Sequence, residues 1–245
     1  MASVFLSPST QQGNLTATGK SEEYYMNLIA DAMEPYLRAS NIRFGRNSPD
    51  MTALSSAQLA NQRHYDLYLA IHSNATGEGT ASRRGAEVYY YPGSQAGLRA
   101  AIIIANNYKQ IYPDTNNIKL VPSSTLVELR KTKAPAVLFE VGYHDNPQEA
   151  QWIADNVQAI GRNLALSVAD YVGVPFVEPE RVRRGVVNVA SGYLNVRAAP
   201  DTVAPPIGRL PDGAVVSVLE RVPGWYYIRS GDLTGFVAAR YISLL

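Results

Sequence analysis

Leu67-Tyr68-Leu69-Ala70-Ile71-His72-Ser73-Asn74 (LYLAIHSN), entered from Asp66, is an apolar run that ends without a break in a histidine and two small polar residues. An uninterrupted apolar stretch of this length reads as a central strand covered on both faces, the kind found in parallel sheets. In open α/β sheets ligands bind outside the carboxyl ends of the strands. His72 therefore stands where a metal ligand would be placed, the ordinary alternative being a hydrogen-bonded core histidine. A second run, Ala136–Phe139 (AVLF), ends the same way in Glu140, followed shortly by a glycine in AVLFEVGYHDN. A carboxylate behind four apolar residues is pushed toward a raised pKa by burial, which suits it to general acid–base work.

Outward from these two strands the chain alternates strand and helix. Val4–Leu6, Ile42–Phe44 and Ala86–Tyr91 read as further strands. Ser21 is a fitting N-cap for a helix whose first turn carries Glu22 and Glu23. Tyr25, Leu28, Ile29, Ala32, Met33 and Tyr36 keep its apolar face at helical spacing. Helices are also expected over Ser55–His64, 96–111 and, as one long final helix, Pro147–Tyr171. The pattern predicts an α/β domain over residues 1–172: a mostly parallel sheet with helices on both faces. Residues 173–184 (GVPFVEPERVRR) carry two prolines, several charges and no periodicity, and read as a linker. Beyond it, over 185–245, short alternating stretches such as GVVNVA, AVVSVL and WYYIR are separated by Gly, Pro and Asp. That predicts a small all-β barrel.

Composition narrows the chemistry. The chain has 245 residues, 46% hydrophobic and 18% charged, as in an ordinary folded protein. It has no cysteine, which excludes disulfides, thiolate metal sites and cysteine nucleophiles. No apolar run is long enough to span a membrane, and MASVFLSPST lacks the basic-then-apolar order of a signal peptide. Net charge is +1 overall, divided as −3 over residues 1–180 (14 Lys+Arg, 17 Asp+Glu) and +4 over 181–245 (8 against 4). A basic tail on an acidic main domain suits attachment to an anionic surface. Near-neutral total charge and the lack of a nucleic-acid motif argue against a nucleic-acid binder. The expected state is a monomer.

These motifs together resemble the zinc-dependent N-acetylmuramoyl-L-alanine amidases, over roughly residues 4–172. AIHSNA matches the family motif that supplies a histidine ligand, and places it on His72. EYYMNLIA matches the Glu motif and selects Glu23 as ligand, with its neighbour Glu22 as the alternative. PAVLFEVGYHDN matches the final motif and makes Glu140 the catalytic carboxylate. LVELRKTKAPAV looks like the stretch before that strand, with Arg130 at the family's arginine. The resemblance implies Zn2+ as cofactor and peptidoglycan as substrate, cleaved between N-acetylmuramic acid and L-Ala, at an extracellular or cell-wall location.

One departure stands out. The family's first zinc ligand is a histidine just after the first strand, and here that stretch is SPSTQQGN. Gln11 or Thr10 could replace it, His144 could swing in, or the metal site could be weak or lost; Gln11 is preferred. Asn74, Arg130 and His144 are expected to contact substrate, with Asn74 as a turn cap and His144 as a surface residue the alternatives. His64, at the far end of its strand, is expected to be structural. If the metal site were lost, the chain would be an amidase-fold protein that binds wall or regulates its hydrolysis. Residues 185–245 resemble a bacterial SH3 domain through Leu194-Asn195-Val196-Arg197, Gly224-Trp225, Gly235-Phe236-Val237 and Tyr241-Ile242. The resemblance implies a wall-binding role, with Trp225, Tyr226 and Tyr227 partly on a binding face and partly in the core.

Overall fold

The computed structural model describes residues 1–77, 82–179 and 183–245, and divides them into two compact units, Met1–Pro179 and Glu180–Leu245. In the first unit six strands form one sheet: β1 (Ser3–Pro8), β2 (Arg43–Arg46), β3 (Leu67–Asn74), β4 (Ala86–Tyr90), β5 (Ile118–Pro122) and β6 (Ala136–Tyr143). Their order is β2-β1-β3-β6-β4-β5. Every neighbouring pair is parallel except β4 with β6. The expected α/β class holds, with β5 as an edge strand the sequence reading did not name.

Strand alternation sorts the side chains between two faces. Leu67, Leu69, Ile71, Val137, Phe139, Val4, Leu6 and Val88 pack in the main core. Against that face lie α1 (Glu22–Ala39), α3 (Gln95–Tyr108) and the closing pair α5 (Pro147–Asp155) and α6 (Val157–Val172). The expected single final helix is interrupted at Asn156, whose side-chain amide donates to the Trp152 carbonyl at 2.8 Å and ends the first helix. The opposite face carries Phe5, Tyr68, Ala70, Ala136 and Leu138. Only α2 (Ala53–Ala60) and the five-residue α4 (Val127–Lys131) contribute buried residues there. His72, Asn74 and Glu140 share the parity of this thinly covered face.

Residues 173–184 do not behave as one linker. Gly173 adopts φ 72°, the left-handed conformation that ends α6. The chain then returns to the first unit. Phe176 stacks on Tyr36 with ring centroids 5.7 Å apart, the Val177 amide donates to Ser40 Oγ at 2.9 Å, and Arg162 Nε donates to Glu178 at 2.7 Å. An aromatic residue with a docking surface of its own closes the domain there, and residues 180–182 of the expected linker lie outside the described residues.

The second unit is an antiparallel sheet of seven strands: β7 (Arg183–Val187), β8 (Tyr193–Arg197), β9 (Pro206–Pro211), β10 (Val215–Val222), β11 (Trp225–Ser230), β12 (Leu233–Ala238) and β13 (Ile242–Leu244). They run in the order β13-β7-β10-β11-β12-β8-β9. Its core is small: Val187, Leu194, Val196, Leu210, Val216, Val218, Ile228, Val237 and Ile242. Among the described residues no helix is long and apolar enough to cross a membrane.

The closest helix packing falls at Gly161 of α6, where a Cβ would stand 2.5 Å from the Ala32 Cβ and 2.9 Å from the Ile29 carbonyl oxygen of α1. Separating the two helices costs core contacts, so Gly161→Ala is expected to destabilise the first unit by about 1–3 kcal/mol in urea unfolding. Gly13→Ala, where an added Cβ meets nothing within 4 Å, is the control and should stay within about 0.5 kcal/mol of wild type.

Candidate active site

Three carboxylates converge around His72 at the carboxyl edge of the sheet. Glu22, the first residue of α1, places Oε1 at 3.0 Å from His72 Nδ1. Glu128, in α4, places Oε2 at 3.2 Å from His72 Nε2. Glu140 stands directly beside His72 in the β3–β6 register, and its Oε2 is buried without a hydrogen-bond partner. Glu87 of β4 is opposite Glu140 in turn, so His72, Glu140 and Glu87 form one row across three adjacent strands.

The electrostatics follow from this crowding. Burial drives the Glu140 carboxyl up to about 7; the His72 charge opposes the rise, and Glu22, Glu87 and Glu128 add to it. Burial pulls His72 down, but the hydrogen bonds to Glu128 and Glu22 and the charges of Glu128 and Glu140 hold it well above the ordinary histidine value. Glu22 and Glu128 behave oppositely to Glu140. Burial raises each, yet donation and positive charge from His72 outweigh it, helped by Asn14 and Ser9 at Glu22 and by Ser7 and Tyr68 at Glu128. Both stay below the usual carboxylate range.

The expected site residues do not all meet here. His72 and Glu140 are adjacent. Asn74 lies close by, but its side-chain amide donates to Glu87 Oε2 at 3.1 Å, while its Oδ1 accepts the Ala75 amide at 2.8 Å. Glu23 turns away from His72: Asn27 and Ser21 donate to its carboxylate at 3.0 and 3.4 Å, and Glu22 occupies the contact expected of it. The reason is helical phase. Glu22 lies three, four and seven residues before the buried Tyr25, Met26 and Ile29, and Glu23 is one position off that stripe. That signal was present in the sequence.

Gln11 is exposed, and its Oε1 accepts from Asn14 Nδ2 at 2.8 Å; the same amide donates to Glu22 Oε2 at 2.9 Å. Gln11 is thus one side chain removed from Glu22. His144 is buried rather than on the surface. Its Nδ1 lies 2.7 Å from the Ser73 carbonyl oxygen and 2.9 Å from Ser73 Oγ, and its backbone amide donates to Asn74, so it ties the end of β6 to β3. Arg130 is exposed and lines a cavity of about 420 Å³ with Tyr91, Ser94 and Ala136, at the start of β6 and not at the His72 edge. His64 is 88% exposed beside Asp66 and takes no part. Glu128 and Glu87 were not foreseen.

The donor chemistry suits part of a zinc site. Two atoms bound to one zinc at about 2.0–2.1 Å each lie about 3 Å apart or slightly more, and Glu22 Oε1 and His72 Nδ1 meet that spacing. Two lone pairs facing each other in a buried place call for a cation between them, a proton or a metal ion. Among the described residues no group of three or more His, Cys, Asp or Glu side chains is arranged to hold an ion. A further protein donor would therefore come from another residue type, and the amide oxygen of Gln11 is the nearest by hydrogen-bond linkage.

Comparison with known proteins gives the family and the fold. Residues 8–170 match the N-acetylmuramoyl-L-alanine amidase family, and residues 192–243 match the bacterial SH3 domain family. The probable cell wall amidase LytH of Staphylococcus aureus is 32% identical over 92 residues, which are 38% of this chain and 30% of that protein. This chain thus spans under a third of its relative's length. The catalytic domain of CwlV, an N-acetylmuramoyl-L-alanine amidase from Bacillus (Paenibacillus) polymyxa var. colistinus, superposes with a TM-score of 0.61 at 20% identity, over 71% of this chain and 100% of that one. AmiC2 of Nostoc punctiforme, also such an amidase, gives 0.63 at 18% identity over 70% and 97%. With the family matched across two thirds of its length, the chain belongs to the N-acetylmuramoyl-L-alanine amidases and carries a bacterial SH3 domain after the amidase unit.

Proposed function

We propose that the chain hydrolyses the amide between N-acetylmuramic acid and L-Ala in peptidoglycan, with zinc held at Glu22 and His72. One observation carries the reading: a buried carboxylate oxygen without a partner, on Glu140, stands in register beside a histidine whose Nδ1 faces a second carboxylate. The chemistry a bound zinc ion supplies is Lewis acidity, which polarises the scissile carbonyl and acidifies the attacking water. Glu140 is the general base. Its Oε2 takes the proton of the water that adds to the carbonyl carbon, and passes it to the amide nitrogen as the C–N bond breaks. Glu87, held by Asn74 and by the Tyr89 and Tyr143 hydroxyls, extends the acidic row beside Glu140. It suits donors on the glycan or stem peptide.

A second reading, a wall-binding or regulatory protein on the amidase fold, is favoured by the absence of histidine in SPSTQQGN and by the exposed position of Gln11. Zinc content of the purified protein and stem-peptide release from sacculi separate the two. The enzyme reading expects about one zinc per chain, and loss of zinc in His72→Ala. Glu140→Gln should keep its zinc and lose about 10²–10⁴-fold in rate. No zinc and no released stems from the wild type would leave only the second reading.

The raised Glu140 has a further consequence in metal-free protein. Its folded pKa of about 7 lies above the ordinary glutamate value of 4.5. Its contribution to stability is therefore fully present below about pH 4.5 and is lost as pH rises through 7. Glu140→Gln, which never carries the charge, should unfold at a higher temperature than wild type at pH 8, and the two should converge below pH 5.

The SH3 unit is proposed to hold the enzyme on the wall, outside the membrane, with the chain acting as a monomer. Trp225 lines a groove of about 450 Å³ with Tyr193, Asn195, Arg197, Arg240 and Tyr241. Tyr226 packs on the core and Tyr227 pairs with Phe236 at 4.9 Å, so Trp225 is the aromatic of the three with a ligand-facing place. Trp225→Ala should weaken co-sedimentation with purified sacculi about 10-fold or more, as expected of an interfacial aromatic anchor, without altering the zinc content. Unchanged sedimentation would remove the groove from wall binding.

A further inference from the structure

Glu128 is a buried charge outside the residues that the motifs single out. It is 4% exposed, on a helix of five residues, 56 positions from His72 and 121 from Ser7. Its neighbours Leu129, Tyr68, Ala136 and Leu138 are apolar in bulk, and an aliphatic side chain would pack there without desolvating a carboxylate. Yet three of the four lone-pair directions of Glu128 are used. Oε1 accepts the Ser7 hydroxyl at 2.6 Å and the Tyr68 hydroxyl at 2.7 Å, and Oε2 faces His72 Nε2 at 3.2 Å. The Tyr68 hydroxyl is kept protonated, its pKa pushed far up by burial and by the Glu128 charge beside it.

Without a metal His72 faces a carboxylate at each ring nitrogen, so a metal ion displaces one of its two protons and the arrangement bears on which one stays. A neutral imidazole has one N–H and one lone pair. Glu128, with Oε1 already saturated by two hydroxyl donors, presents Oε2 purely as an acceptor to Nε2. Glu22, by contrast, is linked through Asn14 to the exposed loop. We infer that Glu128 is a positioning residue: it holds the His72 proton on Nε2, turns the Nδ1 lone pair toward Glu22, and so presets the histidine for metal. The inference rests on the zinc reading above. Such outer carboxylates fix ring orientation and strengthen the ligand, and removing one costs about 10–100-fold in metal affinity.

The chain has only three histidines, so ¹⁵N-histidine labelling gives three imidazoles to assign. In the zinc-loaded wild type, two-bond ¹H–¹⁵N correlation should show His72 protonated at Nε2 and metal-bound at Nδ1. Zinc affinity, measured by competition with a chromophoric chelator, should fall about 10–100-fold in Glu128→Gln, in a variant whose circular dichroism spectrum remains that of the folded chain. The wild-type spectrum tests the tautomer even if that variant fails to fold. A proton on Nδ1, or equal zinc affinity in wild type and Glu128→Gln, overturns the role of Glu128 and leaves the amidase reading intact. A wild type that binds no zinc overturns both.

Discussion

One imidazole held between two buried carboxylates sets the terms for the rest of the first unit. Glu22 and Glu128 meet His72 at 3.0 and 3.2 Å, and both are almost wholly out of water. An ionised carboxylate that loses its solvent is tolerated only where charge and hydrogen bonds replace it, and losing one partner of such a set costs several kcal/mol. Three chain segments must therefore arrive together. β3 has to end in the middle of the sheet, α1 has to begin above its carboxyl edge, and α4 has to press a single turn against the opposite face. The sheet order β2-β1-β3-β6-β4-β5 delivers this, because β1 and β6 flank β3, and the segments bearing Glu22 and Glu128 follow β1 and precede β6.

The same geometry divides labour among like residues. Glu22 and Glu128 are buried and Glu140 is half-buried around one histidine, yet two are held below the usual carboxylate range and the third is pushed up to about 7. The difference is contact. Glu22 and Glu128 each take a hydrogen bond from His72 and from neighbouring hydroxyl or amide groups, whereas Glu140 feels the His72 charge from the next strand and has an oxygen with no donor. Pairs of carboxyl groups whose surroundings separate their pKa values are how a site obtains both a fixed charge and a proton carrier. Of the group, Glu140 is the one able to exchange a proton near neutral pH.

What the sequence disclosed follows the range of the interactions involved. LYLAIHSN and AVLFE carry their burial and their edge positions locally, so both strands, the two-unit layout and the prominence of His72 and Glu140 were legible. Which α1 carboxylate faces His72 left a signal too, since the Tyr25–Ile29 stripe extended backward passes through Glu22, although the motif selected Glu23. Glu128 was not. Within VELRK it reads as an ordinary exposed helix residue, and only contact with Ser7 and Tyr68 makes it otherwise. Arg130 and His144 failed for a related reason: a motif gives a position in the chain, while the direction of a side chain depends on the cavity or carbonyl it meets. The break at Asn156 and the antiparallel setting of β4 likewise arise from pairing that no local pattern records.

The missing histidine after β1 can be weighed against the charge already in place. Even with His72 charged, Glu22, Glu128 and, once deprotonated, Glu140 leave the cluster net negative, and Glu87 lies next in the row. Such a site attracts a cation without a full set of neutral ligands, since charge on the donors compensates for their number. The Gln11–Asn14–Glu22 chain of hydrogen bonds then takes on a definite meaning. Asn14 Nδ2 donates to both Gln11 Oε1 and Glu22 Oε2, so on the proposed zinc reading an ion that drew on those oxygens would compete with one amide. Replacing a histidine by an amide carbonyl weakens a zinc site, because nitrogen and carboxylate donors suit the ion better. On the zinc reading proposed above, the surplus of carboxylates and a His72 ring held by Glu128 would offset that weakness, and would move the control of metal binding from the first strand to the two glutamates that flank the histidine.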